Sequence, residues 1–325
     1  MKKNIWHTRK LLAILLLLAG VLLIGKTSAK AAESRYYASI SNLVQEEWGT
    51  NTAGITWKLE YEGSSNTVKT AGYNIYLGTD YSNVALVGTS SSTSYRFTGL
   101  EAGKKYYVKV VPCGEDGSEG SYRSFALETM PAQVKNFHQD VWWFFIKKLD
   151  VTWDRIDTAD KIVVSLYNSK GKRVGKAQTL PGYSTSASFS KMKDEVYTVK
   201  IQAFRTAGGK TWQTPVSSIK CFNQARITYS KVVKNKLTVK WGKVKGATGY
   251  DIYVSTKPKK GYKKVKSVKA GTSKVTLSRF NRKAFNPKKT YYIYVETKIK
   301  NGKKINKSGA LYYWNTKDSS DGYLN

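Results

Sequence analysis

Apolar and polar residues alternate along two short stretches near the end of the chain. These stretches are residues 237–241 (LTVKW) and 249–254 (GYDIYV). Alternation with a period of two predicts β-strands that each bury one face. The connection, residues 242–249, is too short for a helical crossover and includes three glycines. The pattern therefore predicts two strands of an antiparallel sandwich, with Trp241 in its core.

A second pattern follows downstream. Phe285 is followed six residues later by Tyr291, which opens another alternating segment at residues 291–295. An apolar residue, a turn and then a tyrosine at a strand start are typical of a tyrosine corner, in which the tyrosine hydroxyl is hydrogen-bonded to the preceding loop. We expect Tyr291 to fix this strand to the loop before it.

The same set of residues occurs three times, which predicts a repeated domain. The core tryptophan and the corner tyrosine of each set are separated by 49, 44 and 50 residues. The repeat of about 95 residues is the size of one sandwich domain. The predicted structural core pairs are Trp57 with Tyr106, Trp153 with Tyr197, and Trp241 with Tyr291.

These motifs resemble the fibronectin type III family, in the form common in secreted and cell-surface proteins of bacteria. The resemblance implies an all-β fold with three tandem immunoglobulin-like β-sandwiches, at residues 36–130, 131–221 and 222–316. A polar tail at 317–325, expected to be frayed, follows. The second domain is divergent because the sixth residue before Tyr197 is a lysine. We therefore expect its corner loop to be built differently.

The first 31 residues have the three parts of a secretory signal peptide. A basic start is followed by 15 consecutive apolar residues at 11–25 and by an Ala-x-Ala sequence that ends at Ala31. The apolar run is shorter than the ~20 residues that a membrane-spanning helix needs. We expect cleavage, followed by secretion or association with the cell envelope. The alternative is an uncleaved membrane segment.

Positive charge rises steeply along the chain. The formal net charge is +33, and residues 222–325 contain 26 basic and 4 acidic residues, a net of +22. Residues 32–130 have a net charge of −3 and residues 131–221 a net charge of +8. Within the last domain 23 of the 26 basic residues are lysines, which favour charge-density recognition over bidentate recognition.

This charge predicts contact with an anionic cell-wall polymer, an acidic polysaccharide or a membrane surface. The lysines crowd two predicted hairpins of the third domain. The candidate polyanion-binding residues are Lys257, Lys259, Lys260, Lys263, Lys264, Lys266, Lys300, Lys303 and Lys304.

An aromatic stretch, VWWFFI at residues 141–146, opens the second domain. A continuous strand would place Trp142 on one face and Trp143 on the other, although a sandwich core takes one face only. One interpretation is that the second face packs on a neighbouring domain or under a loop. The other is an exposed aromatic platform of Trp142 and Trp143 for a sugar ring or a protein partner, or else a contact with a membrane surface.

Candidate catalytic chemistry is sparse. The chain has two histidines, His7 and His138, and no Gly-x-Ser-x-Gly motif. We therefore expect no enzyme activity, metal, cofactor or small-molecule substrate. Cys113 and Cys221 fall in different domains, which favours two unpaired thiols over an interdomain disulfide.

The sequence as a whole predicts a secreted or envelope-associated binding or spacer protein. Its basic third domain is expected to contact a polyanion. The alternatives are an array of carbohydrate-binding modules that uses Trp142 and Trp143, and an accessory part of an extracellular enzyme system with a protein partner. Fold alone does not decide among them.

Overall fold

The computed structural model describes residues 36–63, 67–143 and 145–324, without the side chain of Trp143. All regular elements in this part of the chain are β-strands. No helix that is long and apolar enough to cross a membrane occurs within it. The predicted signal peptide at residues 1–31 lies outside the described residues. The fold is all-β and consists of immunoglobulin-like sandwiches in tandem.

The first sandwich packs a three-stranded sheet on a four-stranded sheet. Its strands are β1 (Ala38–Trp48), β2 (Ala53–Tyr61), β3 (Thr70–Asp80), β4 (Asn83–Ser90), β5 (Ser94–Phe97), β6 (Lys105–Gly114) and β7 (Arg123–Glu128). Antiparallel pairing gives the orders β1-β2-β5 and β4-β3-β6-β7. The inward residues form one apolar core, in which the ring of Trp57 meets that of Tyr73 edge-on at 5.1 Å.

The second sandwich repeats this arrangement. Its strands are β8 (His138–Trp143), β9 (Lys148–Thr152), β10 (Lys161–Tyr167), β11 (Gln178–Pro181), β12 (Ser186–Phe189), β13 (Tyr197–Ala207), β14 (Lys210–Gln213) and β15 (Ser217–Cys221). The sheet orders are β12-β9-β8 and β11-β10-β13-β14, and β15 also pairs with β13. Trp153 is buried in the core, and its Nε1 donates a hydrogen bond of 2.8 Å to the carbonyl of Ser184.

The third sandwich has the same three-stranded sheet and an enlarged second sheet. Its strands are β16 (Ile227–Val233), β17 (Lys236–Trp241), β18 (Gly249–Ser255), β19 (Lys263–Lys269), β20 (Lys274–Leu277), β21 (Arg279–Phe280), β22 (Lys283–Ala284), β23 (Tyr292–Asn301), β24 (Lys304–Lys307), β25 (Tyr312–Asn315) and β26 (Ser320–Tyr323). The small sheet has the order β16-β17-β20. The large sheet has the order β19-β18-β23-β25-β26, with β24 also on β23, and β21 pairs with β22. Trp241 is 3% exposed between the two main sheets.

The end of the chain differs from the frayed tail that the sequence predicts. Strand β26 pairs antiparallel with β25 and extends the large sheet. The ring of Tyr323 also packs on that of Tyr312, with centroids 4.9 Å apart. The tail is ordered here because an exposed sheet edge offers it backbone hydrogen-bond partners.

All three sandwiches contain the hydrogen bond of a tyrosine corner. The backbone N–H of Glu101 donates to Tyr106 Oη at 2.8 Å, and that of Asn286 donates to Tyr291 Oη at 2.9 Å. In the second domain the donor is Lys193, four residues before Tyr197 instead of five, at 3.2 Å. The second corner loop is therefore built differently, as its sequence predicts.

The joint between the first and second sandwiches is held by polar contacts. The guanidinium of Arg205 bonds to Glu128 of the first domain and, at 2.6 Å, to Asp160 of the second. The hydroxyl of the buried Thr158 donates to the carbonyl of Thr129 at 2.9 Å. The first and second domains are therefore in direct contact and are not separated by a flexible linker.

The joint between the second and third sandwiches is a short backbone pairing. The N–H of Val196 donates to the carbonyl of Lys245 at 2.7 Å, and the N–H of Lys245 donates to that of Asp194 at 2.8 Å. Val196 also belongs to the apolar core cluster of the third domain. Gly246 has a φ of +84°, and a Cβ there would lie 3.0 Å from Cβ of Ser169, so the close approach requires glycine.

Candidate functional site: the basic third domain

The nine candidate lysines are exposed, but they do not lie together. Three lie in the turn after β18, three on the edge strand β19, and three at the turn between β23 and β24. They are, in that order, Lys257, Lys259, Lys260; Lys263, Lys264, Lys266; and Lys300, Lys303, Lys304.

Antiparallel pairing separates the two turns. Gly249, at the start of β18, lies beside Lys298 near the end of β23, whereas Ser255, at the end of β18, lies beside Tyr292. The turn after β18 and the turn after β23 therefore lie at opposite ends of the large sheet. A strand of this length spans about 20 Å. The lysines of the two turns therefore do not converge on one site.

The outer face of the large sheet holds a buried carboxylate that the alternation pattern did not predict. The side chain of Asp251 is 3% exposed, although its position on β18 faces away from the core. It accepts hydrogen bonds of 2.6 Å from Lys298 Nζ and from Ser267 Oγ. Lys307 Nζ lies 3.1 Å and Lys264 Nζ 4.0 Å from its other oxygen. Three lysines from three neighbouring strands thus surround one aspartate.

The charge states of this network follow from those contacts. Burial disfavours the ionised carboxylate of Asp251, but hydrogen bonds from Lys298, Ser267 and Lys307 outweigh burial and lower its pKa from 3.8 to about 2. A hydrogen bond to Tyr253, together with Glu296 and Asp251, raises the pKa of Lys307. The group is therefore a set of stable ion pairs, not an acid–base centre poised near neutral pH.

Three tyrosines cover the sheet beside Asp251. The rings of Tyr253 and Tyr294 stack with centroids 4.6 Å apart and 21° between their planes, and Tyr262 packs on Tyr294 at 4.9 Å. Burial raises the pKa of Tyr294 to about 12. Because these three rings pack on one another, they form a small second core on the outer face of the sheet.

Trp142 is buried, so it is not part of an exposed aromatic platform, which is one of the two interpretations of this stretch. This side chain is 4% exposed and belongs to the domain core, with its ring 5.9 Å from that of Tyr197. The side chain of Trp143 lies outside the described residues. The chain then turns at residues 145–147, where Lys147 has a φ of +52°, so no continuous strand runs through the whole stretch.

Phe145 lies at the border with the third domain instead. Its side chain is 51% exposed, and its ring meets that of Tyr312 edge-on at 5.2 Å. The guanidinium of Arg226 lies 5.8 Å from the centre of the Phe145 ring. This contact agrees with the interpretation that part of the stretch packs on a neighbouring domain.

The remaining candidate chemistry is scattered over the molecule. Cys113 and Cys221 are both free thiols, and burial raises the pKa of Cys221 to about 12, which makes this thiol unreactive. In the described part of the chain, no group of three or more His, Cys, Asp or Glu residues is arranged to hold a metal ion.

The topology and the corner bonds described above are those of tandem fibronectin type III-like sandwiches. No family model matches the chain, and no curated protein matches it. Solved structures of similar fold include the FN1–FN3 domains of chicken CNTN1, at 16% identity over 88% of this chain and 98% of that chain, with a TM-score of 0.34.

Two further solved structures are similar to parts of the chain. A two-domain fibronectin type III segment of chicken tenascin is 17% identical over 57% of this chain and 99% of its own, with a TM-score of 0.31. The sixth such domain of human fibronectin type III domain containing protein 3 is 19% identical over 29% of this chain and 87% of its own, with a TM-score of 0.26. These likenesses concern the fold alone.

Proposed function

We propose that this chain is a secreted or envelope-associated, non-enzymatic binding and spacing protein, held on an anionic polymer by its third domain. The observation that carries the proposal is the net charge of +22 on residues 222–325. A folded body of this size repels itself at such a charge, and a bound polyanion removes that repulsion.

The internal ion pairs sharpen this argument. The domain has four acidic residues, and Asp251 and Glu296 are already paired with lysines of the same sheet. The large lysine excess therefore faces solvent, as the exposure of the two turns and of β19 illustrates. Lysine is a strongly hydrated point charge, so we expect recognition of charge density rather than of a defined sequence.

The spacing role is supported by the two joints. Each is closed by direct hydrogen bonds between neighbouring sandwiches, without a glycine-rich or serine-rich linker. Short joints of this kind hold domains at a set distance, whereas flexible linkers do not. The first domain, with its net charge of −3, would then be displayed away from the anionic surface.

The test is binding of the purified protein to an anionic polymer at two salt concentrations. For about four lysine contacts, affinity should fall roughly a hundredfold between about 50 and 200 mM salt, because captured anionic groups release their counterions. Binding that ignores salt, or no binding at low salt, contradicts the proposal.

Localisation is tested by fractionating the native cells. We expect recovery from the medium, or from the envelope after a wash with high salt, with a mass that corresponds to residues 32–325. Release by detergent alone, with residues 1–31 still present, would replace secretion with membrane anchoring.

A further inference from the structure

The small sheet of the third domain has an outer face on which every charged residue is a lysine. Its strands β16, β17 and β20 carry four exposed lysines and no acidic residue. These lysines are Lys231, Lys236, Lys240 and Lys274. The four acidic residues of residues 222–325 all belong to the large sheet or its last turn. Charge is therefore divided unequally between the two sheets.

Strand register places these lysines on one surface. Tyr229, Lys240 and Lys274 are directly paired across the three strands, and Lys231 is paired with Thr238 in the next row. Cross-strand partners share a face of the sheet, as do residues two positions apart along a strand. Leu237, Val239 and Trp241 fill the opposite face, which is the core.

One pair of lysines on this surface has an energetic cost. Lys240 and Lys274 are direct cross-strand partners, and like charges at such positions repel. The large sheet has a matching pair, Lys298 and Lys307, but there Asp251 lies between them and bonds to both. The small sheet has no carboxylate of its own for this purpose, so an external anion would relieve its repulsion.

The corresponding sheets of the other two domains are built differently. In the first domain Arg96 on β5 pairs with Glu47 on β1 at 2.8 Å. In the second domain Lys148 and Asp150 of β9 pair at 3.0 Å. Each of those sheets includes acidic residues among its strands, and the third has none. The basic surface is thus specific to the third domain and is not a property of the fold.

The uncharged residues on this face suit a sugar. Tyr229 is 41% exposed, with Lys240 Nζ 5.2 Å from its ring centre, so an aromatic ring lies beside a cation at the surface. Next to it the hydroxyls of Thr238 and Thr276 are 3.1 Å apart, and each can also bond to a ligand hydroxyl. Aromatic rings pack on the apolar face of sugars, while lysines attract their acidic groups.

We propose that the outer face of β16-β17-β20 binds an acidic polysaccharide, with sugar rings against Tyr229 and acidic groups against Lys231, Lys236, Lys240 and Lys274. This assignment rests on the proposed function, because it names the surface and the ligand class of the same polyanion-binding domain. In this assignment the outer face of the small sheet is the contact surface, in place of the lysines in the two turns of the large sheet.

The experiment compares two variants of the full-length protein that lose the same charge. The first has Lys231, Lys236, Lys240 and Lys274 changed to Gln. The matched control has Lys257, Lys260, Lys300 and Lys303 changed to Gln. Binding to polygalacturonate is measured at low salt, and unfolding curves check that both variants fold. We expect the first variant to bind at least about tenfold more weakly than the control, because equal net charge leaves only the local contacts different.

A further variant tests the sugar contact. Tyr229→Ala keeps every charge, so it should weaken binding to polygalacturonate severalfold and leave binding to inorganic polyphosphate unchanged. Equal loss for both polymers, or for neither, overturns the polysaccharide assignment. Tighter binding to single-stranded DNA or to anionic phospholipid vesicles than to polygalacturonate overturns it as well.

Failure of the surface assignment is distinguishable from failure of the proposed function. If the unmodified protein binds neither polygalacturonate nor polyphosphate at low salt, the proposed function is wrong and the surface assignment with it. If it binds both and the two four-lysine variants lose affinity equally, the surface assignment is wrong and the proposed function stands.

Discussion

At the scale of single residues, Asp251 shows how a strongly basic domain compensates for its own charge. The residue lies on a strand face that would normally be solvated, yet its side chain is 3% exposed because lysines from β23, β24 and β19 cover it. A buried charge is tolerated only when it is paired and hydrogen-bonded. Asp251 meets this condition with Lys298, Lys307 and Ser267.

Asp251 should make the third domain sensitive to acid. Its pKa is lowered from 3.8 to about 2 in the folded state, so its stabilising contribution is complete above about pH 5 and is lost as pH falls towards 2. A shift of this size corresponds to about 2–3 kcal/mol at neutral pH. Asp251→Asn should lower the free energy of unfolding by at least that amount at pH 7. The difference between variant and wild type should shrink as pH falls, in denaturant titrations across this range. A difference that does not change with pH contradicts the role of the carboxylate charge.

At the scale of elements, the corner tyrosines and the turn after β8 fix where strands begin and end. Tyr291 accepts a hydrogen bond from the loop before β23, and this bond sets the position at which the strand enters the sheet. After β8 the chain turns at residues 145–147, which leaves Trp142 inside the second domain and Phe145 at its border.

Removal of the hydroxyl of a corner tyrosine should lower the free energy of unfolding of its domain. Tyr291→Phe keeps the ring but leaves the N–H of Asn286 without its acceptor, so we expect a loss of about 1–3 kcal/mol in the free energy of unfolding. Tyr183→Phe, at a residue that is 69% exposed, is the control and should change little. Equal stability of all three proteins in denaturant titrations would show that the corner bond does not stabilise the domain.

Trp142 and Phe145 should respond in opposite ways to truncation. Trp142→Ser removes a ring that is 4% exposed, which should destabilise the second domain by about 3–5 kcal/mol. Phe145→Ser, where the ring is 51% exposed, should leave the stability of the second domain nearly unchanged. Chemical unfolding followed by tryptophan fluorescence measures both. If Trp142→Ser is as stable as the wild type, the buried position of Trp142 is wrong.

At the scale of the whole molecule, the sandwiches are coupled through their joints. Val196 is contributed by the second domain but belongs to the apolar core cluster of the third, next to the backbone pairing with Lys245. Because this apolar side chain of one domain is buried in the core of the next, unfolding of either domain removes the contact between them. The second and third domains should therefore behave as one cooperative unit.

Calorimetry tests this coupling. We expect the second and third domains of the wild-type protein to melt in a single transition. Val196→Ser, at a residue that is 6% exposed, should split that transition, because it removes the shared apolar contact. Val216→Ser, at a residue that is 56% exposed, is the matched control and should leave the transition single. Two separate transitions in the wild-type protein would show that the joint does not couple the domains.

The all-β class, the buried position of Trp241 and the corner bond of Tyr291 could all be predicted from the amino-acid sequence. Each of these depends on residues close together in the chain, so alternation and short spacings reveal them. The sequence also shows the concentration of lysines in the last domain, because net charge requires no structure.

Which of those residues come into contact depends on how the sheets pair and pack. Antiparallel pairing sends the two lysine turns to opposite ends of the large sheet, and it brings lysines from three strands around Asp251. It also places Lys240 directly beside Lys274, which lies 34 residues further along the chain. Such contacts depend on strand order and register, which are set by the packing of whole sheets and leave no periodic pattern along the chain.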